Sequence, residues 1–154
     1  MSVEAKLKSL GLELPSSPAP AANYVPFVRE GNLLFISGQV TFNAQGKLVY
    51  LGKLGRDFTA QEGYQAARLC ALNCLAQAKA ALGSLDHIRR VVRVGGFVNS
   101  AEDFIQQPEV INGVSDLMVE LFGDSGRHAR AAIGCNTLPR GVAVEVDMIL
   151  AVQD

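Results

Sequence analysis

HARAAIGCNTLPRGVAVEVDMILAV, from His128 to Val152, predicts two β-strands joined by a short turn over 136–141. Pro139 and Gly141 are turn-forming residues, and they lie between two apolar stretches. In the second strand large apolar side chains alternate with small or acidic ones, as in a strand with one buried face. The apolar set comprises Val142, Val144, Val146, Met148 and Leu150.

The first strand also has two faces, one with Ala131, Ile133 and Cys135 and the other with Arg130, Ala132, Gly134 and Asn136. If the two strands pair directly as an antiparallel hairpin over one core, Arg130 and Glu145 share the other face. A guanidinium and a carboxylate would then lie near each other among small residues, which leave room for a ligand. A structural ion pair on a solvated face explains the pattern equally well, because such pairs are common and contribute little energy.

The composition is that of a globular protein, with 49% hydrophobic and 19% charged residues in a chain of 154. This length suffices for one domain with a substantial core. Lys and Arg number 14 and Asp and Glu 15, and the resulting net charge of -1 argues against broad nucleic-acid binding. The N-terminus has no long apolar run and no stretch is suited to span a bilayer, so we expect a cytoplasmic protein without a membrane partner.

The cysteines, Cys70, Cys74 and Cys135, are odd in number and accompany no secretion signal, which indicates reduced thiols in the cytosol. Cys70 and Cys74 are four positions apart on a predicted helix and could make half of a metal site. No further ligand pair accompanies them, and His87 and His128 are isolated. We therefore interpret these cysteines as small apolar core residues and expect no metal site.

The remaining periodicities predict, in chain order, a helix over 3–10, strands over 24–29 and 33–36, a helix over 60–82, a strand over 88–98 and a second long helix. Thr59 and Glu62 have the spacing of a capping box. The second long helix either begins near Ala101, with Ser100 as its cap, or follows a short turn and begins just after Pro108.

This order of elements predicts an α+β fold, a mixed sheet with both helices on one face. Residues 1–17 are expected to form an N-terminal helix and arm, and 18–154 a single domain. The sheet's other face, to which the alternation assigns Arg130, Ala132, Gly134 and Ala143, is too apolar for water. We therefore expect self-association, with sites between subunits.

A set of motifs is spread over 18–152: Tyr24, GNLLFISGQ at 31–39, Gly83, the passage Phe97–Phe104, Asn112, Arg130, Leu138-Pro139 and VAVEV at 142–146. Together they resemble one family, the YjgF/YER057c/UK114 proteins, also called the RidA family of enamine/imine deaminases. The SGQ block and the Arg…Leu-Pro…Val-Glu-Val block are fairly specific when they occur in this order.

The resemblance implies a chorismate-mutase-like fold and a homotrimer, in which three sheets close a barrel and a ligand cleft lies at each subunit boundary. It implies that Arg130 grips the carboxylate of a 2-imino acid, such as 2-iminopropanoate from 2-aminoacrylate, through its planar fork. Glu145 would activate the water that attacks the imine carbon, so that ammonia and a 2-oxo acid leave without a metal or cofactor. Tyr24, Gly38 and Asn112 match family positions near the cleft and are predicted to bind substrate.

The chain also departs from the family. Ala132 stands where RidA proteins commonly have cysteine, the N-terminal helix is extra, and the segment 40–58 is longer, with glycines that indicate a solvent-facing loop. A non-catalytic trimer that binds a small carboxylate through Arg130 is therefore an alternative. An endoribonuclease-like translation inhibitor is a weaker one, because the chain lacks a basic face and neither histidine has an evident acid/base partner. We interpret His128, two residues before Arg130, as a structural or rim histidine.

Overall fold

Two long helices lie against one face of a five-stranded mixed sheet in the computed structural model, which describes residues 1–16 and 22–154. The elements are α1 (Val3–Ser9), β1 (Phe27–Glu30), β2 (Leu33–Gln39), α2 (Ala60–Leu82), β3 (Ile88–Asn99), α3 (Gln107–Phe122), β4 (Ala129–Cys135) and β5 (Val144–Val152). The predicted α+β class and the packing of both long helices on one face are confirmed. The predicted boundary between arm and domain, at residue 17, lies outside the described residues.

The strand order is β1-β2-β5-β3-β4, so the last strand of the chain lies inside the sheet. β5 is antiparallel to both β2 and β3, whereas β4 is parallel to β3. The predicted hairpin of the last two strands is therefore wrong, because β3 lies between them. The crossover through α3 places β4 on the free edge of β3, and β5 fills the gap between β2 and β3.

The two long helices begin at residues that suit the unpaired backbone N–H groups of a first helical turn. Thr59 and Glu62 form the predicted capping box, with reciprocal hydrogen bonds of 3.2 and 3.0 Å. α3 begins at Gln107 with Pro108 in its first turn, where the missing N–H of proline removes no hydrogen bond of the helix. The alternative start capped by Ser100 is wrong, because that hydroxyl donates to a carbonyl of β3 instead. Among the described residues no helix is long and apolar enough to cross a membrane.

The cysteines of α2 belong to the core. Cys70 and Cys74 are fully buried, and their thiols lie 3.3 and 3.5 Å from the β5 carbonyls of Val144 and Val146. Burial raises the pKa of both thiols, so they remain protonated. Within the ranges 1–16 and 22–154 no cluster of three or more His, Cys, Asp or Glu side chains could hold a metal ion.

The segment 40–58 is anchored to the domain at its centre. Leu54 is fully buried, and its N–H donates to the carbonyl of Asn99 at 2.8 Å. The neighbouring Lys53 ammonium donates to the Asn99 side chain, also at 2.8 Å, and to the carbonyl of Asn136. The expectation of a solvent-facing loop is wrong at Leu54, because the chain returns there to cover the end of β3.

α2 and α3 approach closely at Gly113. A side chain at this position would collide with the backbone carbonyl of Tyr64 on α2. Backbone cannot yield as the end of a flexible side chain can, so this glycine fixes the distance between the two helices. That distance in turn sets where α3 holds its side chains over β4.

We predict that Gly113→Ala lowers the free energy of unfolding by about 1–3 kcal/mol, because overpacking outweighs the gain in helix propensity. Urea denaturation at fixed protein concentration measures the change. Gly31→Ala is the control, since its turn has open space and a φ of 60°, and it should cost about 1 kcal/mol through backbone strain. A Gly113→Ala midpoint at or above that of the wild type would contradict close helix contact.

Candidate functional site

Arg130 and Glu145 lie on opposite faces of the sheet. Arg130 is paired with Val94, which is fully buried beneath the helices, so its side chain leaves β4 on the helix face. Glu145 is paired with Phe97. Phe97 lies three positions after Val94 and therefore on the opposite face of β3, so Glu145 points away from the helices. The prediction that the two share a face is therefore wrong.

The reason lies in which face of β4 covers the core. Its small residues Ala132 and Gly134 face α3 and the loop before it, and the partly buried Ala132 packs against the core. Ile133, which the apolar pattern places on the core face, points away from the helices and is 48% exposed. A sequence pattern favours the larger apolar residues as the buried set, whereas close helix packing here selects the smaller ones.

The guanidinium of Arg130 is held by α3. Its Nη1 donates to Asn112 Oδ1 and to Ser115 Oγ, each at 3.0 Å, and Nη2 makes a longer contact of 3.5 Å with the carbonyl of Pro108. All three partners are neutral, and within the described chain Arg130 forms no ion pair. The structure thus brings the predicted residues Arg130 and Asn112 together around a half-buried cation.

A histidine extends this network. His128 Nδ1 lies 2.6 Å from the carbonyl of Gly126, and His128 Nε2 lies 2.9 Å from Ser115 Oγ. Burial, and then the positive charge of Arg130, lower the pKa of His128 against a raising effect of Gly126. We call Arg130, Asn112, Ser115 and His128 the arginine half-site. Sequence reasoning missed Ser115, which lies three positions after Asn112 and therefore on the same side of α3.

The other face of the sheet carries two carboxylates on β5. Glu145 lies directly over Gly38 of β2, where any side chain would collide with its carboxylate, and Asp147 lies in the same way over Gly95 of β3. Burial, and then the charge of Asp147, raise the pKa of Glu145. Burial also raises the pKa of Asp147, against smaller lowering effects of Arg93 and the Gly95 amide. The predicted site gives no role to Asp147, although the Glu-x-Asp spacing on a strand puts it on the face of Glu145.

Tyr24 precedes a segment that is hydrogen-bonded to β2, the strand that contains Gly38. The residues after it are tied to β2, because the Ser37 hydroxyl donates to Val25 at 2.7 Å and the Ser37 N–H donates to Pro26 at 2.9 Å. Ser37 precedes Gly38 in the irregular part of β2, and the Tyr24 side chain is 55% exposed. We call Gly38, Glu145 and Asp147 the acidic half-site, and the role of Tyr24 in substrate binding stays a prediction.

The face that carries the acidic half-site is apolar around it. The exposed apolar side chains on this face include Val28, Leu33, Phe35 and Ile133. This face is therefore apolar, as predicted, but the residues that the sequence analysis assigned to it lie elsewhere. Arg130, Ala132 and Gly134 lie on the helix face, and Ala143 is buried before β5.

A cavity of about 670 Å³ lies at the far end of β4. Its lining includes Lys53, Ser100, Gln107 and Gly134 but none of the five predicted site residues. Gly134 is four positions beyond Arg130, about 13 Å along the strand. This cavity is therefore not the predicted cleft.

Comparison with known proteins places the chain in a family. The family described as "YjgF/chorismate_mutase-like, putative endoribonuclease" matches residues 4–149. Protein TCP17 of Trypanosoma cruzi is 48% identical over 149 residues, which cover 96% of this chain and 92% of that protein. The crystal structure of protein Atu1372 from Agrobacterium tumefaciens has a TM-score of 0.91 at 47% identity, covering 99% of this chain and 94% of that one.

A more distant relative carries an enzymatic name. The 2-iminobutanoate/2-iminopropanoate deaminase of Dermatophagoides farinae is 27% identical over 142 residues, which cover 92% of this chain and 95% of that protein. The family match spans nearly the whole domain, and the mixed sheet with helices on one face is the fold that the motifs implied. The chain therefore belongs to the YjgF/chorismate-mutase-like family.

Proposed function

We propose that this protein hydrolyses small 2-imino acids to 2-oxo acids and ammonia in clefts between the subunits of a homotrimer. The observation that carries the proposal is the half-buried Arg130 guanidinium, which is held in place by neutral groups and has no acidic partner within the described chain. A cation in that position is prepared for an anionic ligand. The name of the Dermatophagoides relative supplies the substrate class.

The hydrogen bonds of Arg130 define how a carboxylate would approach. Both hydrogens of Nη1 are engaged, one by Asn112 and one by Ser115. Nε–H and Nη2 remain, apart from the long contact with Pro108. A ligand carboxylate would therefore bind side-on, with one oxygen on Nε and the other on Nη2.

A cleft that contains both half-sites needs two copies of the chain. Within one copy the sheet separates Arg130 from Glu145. The acidic half-site is surrounded by exposed apolar side chains, among them Phe35 and Ile133, and a second copy that buried them would gain hydrophobic energy. In the proposed trimer the edge strand β4 of one copy lies against this face of the next and brings its Arg130 toward the neighbouring Glu145.

The chemistry requires one proton acceptor beside an oriented imine. Glu145 takes a proton from a water as the water oxygen bonds to the imine carbon, and the C=N electron pair moves to nitrogen. The proton on Glu145 passes to this nitrogen and gives the carbinolamine. Glu145 then takes the carbinolamine hydroxyl proton and delivers it to the amino nitrogen, so the C–N bond breaks, the carbonyl forms and ammonia leaves. A carboxylate whose pKa is raised by burial is a better base near neutral pH than an ordinary glutamate.

A carboxylate-binding function without turnover is the second candidate. It is favoured by the completeness of the arginine half-site within one chain, which makes no use of Glu145. Ligand binding by a wild-type protein that does not accelerate ammonia release, with unchanged affinity in Glu145→Gln, would support it. RNA cleavage gains no support from the histidines, because His87 contacts the Leu82 carbonyl and His128 that of Gly126.

We predict that Arg130→Ala reduces kcat/KM for 2-aminoacrylate, generated in situ, by at least about 100-fold. Two charge-assisted hydrogen bonds to the carboxylate are lost. Arg130→Lys should be nearly as impaired, because an ammonium lacks the two coplanar N–H donors that bind both carboxylate oxygens. Ammonia release measures the rate, and Arg89→Ala, at an exposed position, is the control. Equal acceleration by wild type and Arg130→Ala would refute the proposed role.

A mixture of two inactive variants tests whether the site spans two copies. Arg130→Ala and Glu145→Gln chains, unfolded and refolded together in equal amounts, should regain about a quarter of the wild-type sites, because each mixed trimer contains one intact Arg130–Glu145 boundary. Each variant refolded alone is the control, and mass spectrometry verifies that mixed trimers form. If mixed trimers form without regaining activity, the two residues do not act across a boundary.

The acidic limb of the pH–rate profile should depend on Asp147. Its negative charge raises the pKa of Glu145, so Asp147→Asn should lower that pKa and shift the acidic limb of kcat/KM to lower pH. Asp103→Asn, at an exposed position, is the matched control and should leave the limb in place. A limb that stays fixed, or moves to higher pH, in Asp147→Asn would contradict Glu145 as the base.

A further inference from the structure

The imidazole of His128 connects the backbone to Arg130 through a single hydroxyl. The Gly126 carbonyl can only accept, so His128 Nδ1 carries a hydrogen and donates to it across 2.6 Å. In the neutral ring Nε2 is then an acceptor, and the Ser115 hydroxyl donates to it across 2.9 Å. The Ser115 oxygen in turn accepts from Arg130 Nη1 at 3.0 Å. Each hydrogen bond in this series therefore has one donor and one acceptor.

We propose that His128 is a positioning residue for Arg130, and that a carboxylate which binds Arg130 draws a proton onto His128. The neutral ring orients the Ser115 hydroxyl so that its oxygen faces Nη1 and leaves the Nε and Nη2 edge of the guanidinium free. This inference rests on the proposed function in one respect, that the anion taken by Arg130 is a carboxylate.

The link to protonation follows from the hydrogen-bond directions. When His128 gains a proton, Nε2 becomes a donor, and the Ser115 hydroxyl hydrogen must turn to another acceptor. An imidazolium and the Arg130 guanidinium then face the same oxygen, and their repulsion opposes the added proton. A bound carboxylate offsets this repulsion, so it raises the pKa of His128. By reciprocity the carboxylate binds more tightly as the pH falls through the titration of His128.

Other charges near His128 are directed elsewhere. Arg127 lies 3.4 Å from Asp124 in an exposed pair, and Arg90 donates to the Arg127 carbonyl. On α3, Asp116 accepts from the hydroxyl of Tyr64. Glu145 and Asp147 lie on the other face of the sheet. Arg130 is thus the charge on its own chain that acts most directly on the ring.

The chain has two histidines, which makes the test direct. Nitrogen-15 NMR of the ligand-free protein reports which ring nitrogen carries the hydrogen, and a His87→Gln variant assigns the two signals. We expect the Nδ1–H form for His128, and a higher pKa for His128 in Arg130→Gln, because the repelling charge is gone. An Nε2–H form, or a pKa unaffected by Arg130→Gln in a protein that keeps its wild-type methyl spectrum, would overturn the positioning role.

The ligand arm uses 2-oxobutanoate in a Glu145→Gln background, so that Glu145 does not contribute to the pH dependence. We expect an upward shift of the His128 titration on binding, no shift for His87, and affinity about 3- to 10-fold higher near pH 5.5 than near pH 8. Ser115→Ala should weaken binding, because Nη1 loses a partner. Binding through Arg130 that leaves the His128 titration unchanged would overturn the coupling. Failure of the 2-oxo acid to bind would count against the proposed function, while the ligand-free arm would still decide the positioning role.

Discussion

The burial of β5 between β2 and β3 is the constraint on which the structure depends. This strand is hydrogen-bonded along both edges, and on its helix face Val144, Val146, Met148 and Leu150 are all buried. Without it the sheet would divide into a β1–β2 hairpin and a β3–β4 pair. The core under α2 and α3 is continuous because the last strand of the chain closes this gap.

The same strand determines where charge can be placed. Side chains alternate strictly along β5, so the residues between its core positions must point away from the helices. Two of them are Glu145 and Asp147, each over a glycine of a neighbouring strand, which gives both carboxylates room close to the sheet and little water. Their raised pKa values therefore follow from packing. A larger residue at Gly38 would displace Glu145, so this glycine is required by the acid above it and not by a turn.

Much of the fold could be predicted from the sequence because its signals are local. The capping box at Thr59 and Glu62 and the alternation in β5 each depend on residues within one element. The pairing of β4 could not be predicted in this way. A short turn between two strands fits a hairpin and also fits a connection across a third strand, and only the crossover through α3 decides between them. The error about the shared face of Arg130 and Glu145 has a second source, because the apolar pattern of β4 favours Ile133 as a core residue and the structure exposes it.

The two half-sites are incomplete for complementary reasons. A guanidinium with a carboxylate beside it in the same chain would be neutralised, as in a structural salt bridge, and would bind a ligand anion less well. Here Asn112 and Ser115 fix the orientation of Arg130 without cancelling its charge, and the sheet keeps Glu145 away from it. Among the described residues Arg93 acts on the neighbouring Asp147, and no cation is among the groups that shift the pKa of Glu145. Separation of the two groups within one chain therefore preserves the binding strength of one and the basicity of the other, and an assembly that joined them across a boundary would use both.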